Sequence, residues 1–219
     1  MEIVLPESGL RLVPRKIICV GKNYARHAAE LQSTVPEEPL LFLKPSTALV
    51  GPEGTVWLPP QSREVHHEVE LVVVIGREGK SIPEAKALDY VAGYALGLDM
   101  TARDLQQQAR QRGYPWAVSK GFDTFAPLGP IVPASEVPDP QRVQLRLCVN
   151  GRLRQEGSTA DMVFSVQQLI AYCSEIFTLQ PGDLLFTGTP EGVAPVEDGD
   201  VLEASSDLLP AFRVYVRRR

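Results

Sequence analysis

His66-His67-Glu68-Val69-Glu70-Leu71-Val72-Val73-Val74-Ile75 is the stretch on which the reading of this chain turns. The continuous apolar run from Leu71 to Ile75 reads as a strand, and Val69 extends it back to the two glutamates. Successive side chains of an extended strand alternate faces, so Glu68 and Glu70 project together and share one small patch. Two adjacent buried carboxylates repel each other unless a proton, an Arg or Lys, or a metal ion compensates them. The same residues thus predict a strand and pose a chemical question.

Outward from this strand, 19 prolines and 17 glycines divide the chain into short apolar runs, which favours a β-rich fold. Strands are expected over residues 17–21, 40–45, 55–58, 69–75, 94–98, 183–187 and 212–216, and 145–149 with 152–154 read as a hairpin on the type I′ pair Asn150-Gly151. Three helices interrupt the pattern. Asn23 is expected to cap one over 24–31. Thr101-Ala102-Arg103-Asp104 matches a capping box opening a second that ends near Gly113. Residues 165–177 place Val166, Leu169, Ile170 and Cys173 at helical spacing, before the stop Gln180-Pro181-Gly182-Asp183. Residues 133–140 are polar and loop-like. With no internal repeat or low-complexity linker, 219 residues at 44% apolar composition read as one α+β, β-rich domain over 1–219.

A net charge of -5 argues against nonspecific attraction to nucleic acid, and Arg217-Arg218-Arg219, the only basic run, reads as a solvated end. Cys19, Cys148 and Cys173 are widely spaced, with no CxxC and no zinc spacing, which fits a reducing compartment. The start Met1-Glu2-Ile3-Val4-Leu5-Pro6 lacks a basic segment followed by a long apolar one, and no run approaches the ~20 apolar residues of a spanning helix. A cytoplasmic protein without membrane partners is the expectation.

Asp99 ends the expected strand at 94–98, two residues before Thr101, where it is placed to be a third ligand beside Glu68 and Glu70. Three carboxylates with water in the remaining positions suit a hard divalent ion, Mg2+ or Mn2+, better than zinc. His66 and His67 are adjacent alternatives, but imidazole ligands would move the site toward zinc or iron chemistry. His27 and Glu30 are three apart on the first helix, so the carboxylate can orient the imidazole and raise its basicity toward a water. Arg103 and Lys120 offer cations for an anionic substrate or a developing oxyanion, and Gly188-Thr189-Pro190 offers a hydroxyl and backbone amides to a carboxylate. No P-loop, GxGxxG or GxSxG is present, so nucleotide binding and serine hydrolysis lack support.

These motifs occur in one order. Gly21-Lys22-Asn23-Tyr24-Ala25-Arg26-His27 comes first, then Phe42-Leu43-Lys44-Pro45, His67-Glu68-Val69-Glu70-Leu71, Gly97-Leu98-Asp99-Met100-Thr101-Ala102-Arg103-Asp104, Lys120, and Gly188-Thr189-Pro190-Glu191-Gly192-Val193. In that order the chain resembles the fumarylacetoacetate hydrolase family, most closely its short branch of acylpyruvate hydrolases and oxaloacetate decarboxylases. The resemblance implies a rolled mixed β-sheet, a homodimer, and a Mg2+ or Mn2+ ion held by Glu68, Glu70 and Asp99. It implies a water-activating His27/Glu30 dyad on a mobile lid, and Lys120 supporting the reacting carbonyl. Arg103, Gln106 and Thr189 match substrate contacts, and Lys44 matches a residue lining the same cleft. The substrate implied is a small 2-oxo acid: an acylpyruvate hydrolysed at its C3–C4 bond, or alternatively oxaloacetate decarboxylated or a keto/enol pair isomerised. A silent binding protein on the same scaffold is the non-enzymatic alternative. The N-terminal domain of the long family members has no counterpart in this sequence.

Overall fold

The computed structural model describes residues 1–5, 8–30 and 34–218. Val69–Ile75 is a strand, buried at every position. Its odd residues Val69, Leu71, Val73 and Ile75 enter one apolar cluster and its even residues Val72 and Val74 enter another, so both faces are covered. That explains an uninterrupted apolar run where a half-exposed strand would alternate. Each such side chain contributes about 1.5–3 kcal/mol of burial.

The strand lies inside a six-stranded sheet ordered Val132–Pro133, Val91–Leu98, Val69–Ile75, Leu184–Phe186, Ile17–Gly21, Leu40–Lys44. All its pairs are antiparallel except Leu184–Phe186 with Ile17–Gly21. A five-stranded sheet, Arg152–Ser158, Gln144–Val149, Val201–Ser205, Phe212–Arg218, Thr55–Leu58, sends Leu145, Leu147, Leu202, Val214 and Val56 into the same main core. The β-rich, mixed-sheet expectation holds. Val166, Leu169, Ile170 and Cys173 of the helix Val166–Ile176 close that core.

Several local expectations are corrected. Asn23 does not cap the Ala25–Glu30 helix. Its side chain donates to the carbonyls of Phe164 and Thr187 and accepts from Phe164 N–H, fastening three distant segments. The end of that expected helix, Leu31, lies outside the described residues. Thr101 opens no capping box either: Thr101–Ala102 is a short strand paired with Val65–His67, and the helix Arg103–Arg112 starts without a side-chain cap. Its expected end holds, with Gly113 left-handed at φ 67°. Arg217 and Arg218, both exposed, end the strand Phe212–Arg218 opposite Trp57 and Leu58; Arg219 is not described. Val201–Ser205, central in its sheet, was not expected, because only Leu202 and Ala204 mark its inward face.

Candidate metal centre and reaction cleft

Glu68 sits at a junction. The ladder Val69–Leu98 of the large sheet ends there, Asp99 N–H donates to Glu68 carbonyl oxygen at 2.8 Å, and the short ladder pairing Thr101 with His66 begins. Both segments change sheets at this point, which delivers Glu68 and Asp99 side by side, with Glu70 on the adjoining strand. Ligand atoms of Glu68, Glu70 and Asp99 all lie within 4.8 Å of one another, and the three residues are buried. His66 and His67 are not in this group. His66 Nε2 is 2.8 Å from Glu64, and His67 Nδ1 is 2.9 Å from Gln155 Oε1.

Three cations surround the carboxylates. Lys120 Nζ donates to Asp99 Oδ2 at 2.6 Å and Glu68 Oε2 at 3.0 Å, with the Phe42 ring 4.8 Å away. Arg103 donates to Glu68 Oε1 at 2.5 Å and to Gln106 Oε1 at 2.7 Å. Lys44 Nζ lies 2.7 Å from Asp99 Oδ1, yet it donates to the carbonyls of Met100, Lys120 and Phe125 at 2.9, 2.7 and 2.8 Å. Those three bonds use all the protons of an ammonium. The Asp99 Oδ1 contact is therefore an attraction between charges without a hydrogen bond, and the oxygen keeps its lone pairs. Lys44 belongs behind the carboxylates, outside the cleft lining where the family resemblance put it.

Burial raises the carboxyl of Glu68, but Lys120 and Arg103 outweigh it and hold the group well below the usual carboxylate range. Burial and then the charges of Asp99 and Glu68 push Glu70 well above that range, against the opposing Gly188 N–H, 2.8 Å from its Oε2. Burial pulls Lys120 down, and Asp99 and Glu68 more than reverse it. Oxygen-only donors, a lone-pair-bearing Asp99 Oδ1 and a Glu70 resisting ionisation beside two carboxylates together fit a hard divalent cation. The formal charges of the three carboxylates and of Lys44, Lys120 and Arg103 cancel. A divalent ion would bring the cluster to a charge of about +2, matching the carboxylate and enolate charges of an ionised 2-oxo acid.

His27, Gln106, Thr189, Lys120 and Arg103 line one cleft with the three carboxylates. Its water-sized interior is about 20 Å3, inside about 390 Å3 that includes the open mouth. Burial lowers the His27 imidazole below its ordinary range, partly offset by Glu68 and by Glu30, whose Oε2 is 3.3 Å from Nδ1. The ring is neutral near pH 7 and able to accept a proton. Glu30 in turn accepts from Gly192 N–H at 3.1 and 3.2 Å. Gly192 is left-handed at φ 95°, and a side chain there would run into the Arg154 carbonyl. Thr189 is set by Gln155: the amide donates to Thr189 Oγ1 at 2.8 Å, and the hydroxyl donates to Val69 carbonyl oxygen at 2.8 Å. Gln155 also accepts from Val69 N–H at 3.0 Å. Sequence reasoning missed Gln155, since a glutamine 34 residues from its partner carries no local signal. It also left Lys22, Arg110, Phe42 and Trp116, all cleft-lining, without a role.

Residues 16–217 match the family model described as fumarylacetoacetate (FAA) hydrolase C-terminal. The chain is 52% identical over 205 residues to the mitochondrial oxaloacetate tautomerase FAHD1 of Mus musculus, covering 93% of this chain and 92% of that protein. The crystal structure of fumarylpyruvate hydrolase from Pseudomonas aeruginosa in complex with Mn2+ and pyruvate is similar at a TM-score of 0.94 and 40% identity, covering 100% of this chain and 96% of that one. The 2-hydroxyhepta-2,4-diene-1,7-dioate isomerase of Mycobacterium marinum is similar at a TM-score of 0.84 and 39% identity, over 95% and 76% of the two chains.

Proposed function

The chain belongs to the fumarylacetoacetate hydrolase family, and we propose that within it this protein is a Mg2+- or Mn2+-dependent hydrolase of 2,4-dioxo acids. One observation carries this reading: a buried imidazole held neutral, His27, lines the same cleft as Glu68, Glu70 and Asp99 and is oriented by Glu30. A divalent ion held by the three carboxylates would supply Lewis acidity to the 2-oxo acid end of the substrate and to the enolate formed from it.

The protein's own groups do the rest. His27 Nε2 takes a proton from water as the water oxygen bonds to C4, while Glu30 fixes the ring through Nδ1. The Lys120 ammonium, shared between Glu68 and Asp99, is assigned to stabilising the developing C4 oxyanion. Collapse of that oxyanion breaks C3–C4, leaving a carboxylic acid and the pyruvate enolate. The enolate takes the proton back from His27 at C3. Arg103 and the backbone N–H of Thr189 are assigned to the substrate carboxylate, and Gln106 to holding Arg103. A homodimer in a cytoplasmic setting belongs to the same proposal. No helix among the described residues is long and apolar enough to cross a membrane.

Acetylpyruvate turnover, followed by loss of the 2,4-dioxo absorbance, tests the reading. Activity is expected with Mg2+ or Mn2+, to vanish on chelation and to return with the ion. It is also expected to fall at least ~1000-fold in His27→Ala with Mn2+ affinity retained. Turnover that survives complete metal removal sinks the proposal. Likeness to an oxaloacetate tautomerase at 52% identity favours a second reaction on the same groups, proton transfer at C3 without attack by water. Ultraviolet decay of enol-oxaloacetate with no acetylpyruvate cleavage would select it.

A further inference from the structure

His66 precedes Glu68 by two residues and lies outside the group of ligand atoms formed by Glu68, Glu70 and Asp99. Both of its ring nitrogens are engaged. Nε2 is 2.8 Å from Glu64 Oε1, and Nδ1 is 3.4 Å from Arg103 Nε, which carries a proton and can only donate. Nδ1 is therefore the unprotonated nitrogen, and Nε2 carries the proton that goes to Glu64. One tautomer satisfies both bonds, and the other satisfies neither.

The bond to Nε completes the set around Arg103. Nη2 donates to Glu68 Oε1 at 2.5 Å and Nη1 to Gln106 Oε1 at 2.7 Å, so each guanidinium nitrogen meets a different acceptor. Among the described residues no further side-chain acceptor is bonded to it, which leaves one N–H on each Nη for the cleft that Arg103 lines. Anchors on the two Nη atoms alone leave the planar group free to tilt about the line joining them, and a third at Nε stops the tilt. The backbone here is fastened without help from the imidazole. His66 pairs with Thr101, Arg103 N–H donates to Glu64 carbonyl oxygen at 2.7 Å, and Asp104 accepts from Ser62 Oγ at 2.6 Å and Arg63 N–H at 3.0 Å.

We propose that His66 is a positioning residue: held in its Nε2–H tautomer by Glu64, it accepts from Arg103 Nε and sets the tilt of the guanidinium whose remaining N–H groups receive the substrate carboxylate. This inference rests on the assignment of Arg103 to the carboxylate of a 2-oxo acid. His66 and the half-exposed Glu64 support Arg103 from outside, and neither is among the residues that line the cleft.

Two measurements test it. Two-bond 15N–1H correlation spectra of the Mg2+-loaded protein near pH 7 read the tautomer, and the Nε2–H form is expected; a proton on Nδ1 overturns the proposal. Titration calorimetry then follows pyruvate binding to the Mn2+-loaded protein. His66→Leu keeps bulk and loses the acceptor, and should weaken binding about 5-fold or more. His66→Asn, whose side-chain oxygen reaches the position of Nδ1, should return affinity to within about 2-fold of wild type. In an Arg103→Lys background, which lacks the Nε–H, His66→Leu should change affinity less than about 2-fold. His66→Gln, which keeps a donor for Glu64, takes the place of the leucine variant if that one does not fold. A histidine that only supports the fold would weaken binding equally in both backgrounds and gain nothing from asparagine, and that pattern overturns the proposal. Wild-type affinity in His66→Leu also overturns it and leaves the 2-oxo acid site standing. A wild type that binds no pyruvate overturns both.

Discussion

Replacing Lys44 by Met tests whether the cations behind the site hold the fold or the substrate. The Lys44 side chain is fully buried, and its ammonium spans three carbonyls and Asp99. Methionine fills a similar volume but donates nothing. The Phe125 carbonyl keeps a second donor, Met100 N–H at 3.1 Å, whereas among the described residues the carbonyls of Met100 and Lys120 have no other donor. Two orphaned buried acceptors cost about 2 kcal/mol or more together. Stripping a buried carboxylate of one partner costs about 3 kcal/mol, at the low end because Lys120 remains 2.6 Å from Asp99. The sum, about 5 kcal/mol, rivals the whole stability of a typical domain. Urea unfolding followed by tryptophan fluorescence should show that loss as a fall in midpoint at constant slope. Saturating Mn2+ should restore part of it by binding the native state, and the carbonyl contribution should stay lost. A loss below ~1 kcal/mol would show that these carbonyls are satisfied some other way, refuting the argument.

Four further outcomes are expected. The acid limb of kcat/KM for acetylpyruvate should lie below the ordinary imidazole value of 6.5, because burial lowers His27; Glu30→Gln removes a raising influence and should move the limb lower still. A limb above 7 in the wild type contradicts the assignment. Mn2+ affinity should fall as the pH is lowered from neutral at a higher pH than an ordinary carboxylate would give, because the raised Glu70 carboxyl must be ionised to hold the ion; an affinity that stays flat down to the ordinary carboxylate range would contradict this. Gln155→Leu should cost about 2–4 kcal/mol by orphaning Val69 N–H and His67 Nδ1, and should raise KM by releasing Thr189, with urea midpoint and kinetics as the paired checks. Asn23→Ala should destabilise by about 2–3 kcal/mol, well above the ~1 kcal/mol of an ordinary helix cap, and a cost of ~1 kcal/mol or less would contradict the role of fastening three segments.

The parts of the molecule legible in the sequence are those written in short range. Val69–Ile75 announces itself because a strand covered on both faces has to be apolar throughout. Asn150-Gly151 announces its hairpin because both positions need positive φ, 52° and 74° here. Glu68, Glu70 and Asp99 were readable because like charges near one apolar strand need a counter-ion, an argument requiring no coordinates. Where local rules competed with long-range partners, the partners won. Asn23 and Thr101 both satisfy capping rules, yet each spends its side chain elsewhere, Asn23 on Phe164 and Thr187 and Thr101 on Glu68 at 3.1 Å. Lys44 carries the same charge as Lys120, and only packing decides that one faces the carbonyls and the other the carboxylates.

The segment from Gly188 to Gly192 draws these separate parts into one device. Gly188 N–H bonds Glu70, Thr189 Oγ1 bonds the Val69 carbonyl, the Pro190 carbonyl accepts from Gln155, and Gly192 N–H bonds Glu30. A single backbone stretch therefore sets a proposed metal ligand, a proposed substrate contact and the orientation of the His27–Glu30 pair. The helix that carries His27 spans six described residues, Ala25–Glu30, against the ~12–15 that persist alone in water, and this segment and the buried His27 and Ala28 hold it. Its other tie to the segment is the Arg26–Glu191 pair at 3.3 Å, exposed at Arg26 and worth at most about 1 kcal/mol. The dyad is thus fastened to a rigid sheet by weak, reversible contacts. That combination suits the proposed lid, which would release for substrate to enter and return His27 to one position over Glu68, Glu70 and Asp99 as it closes.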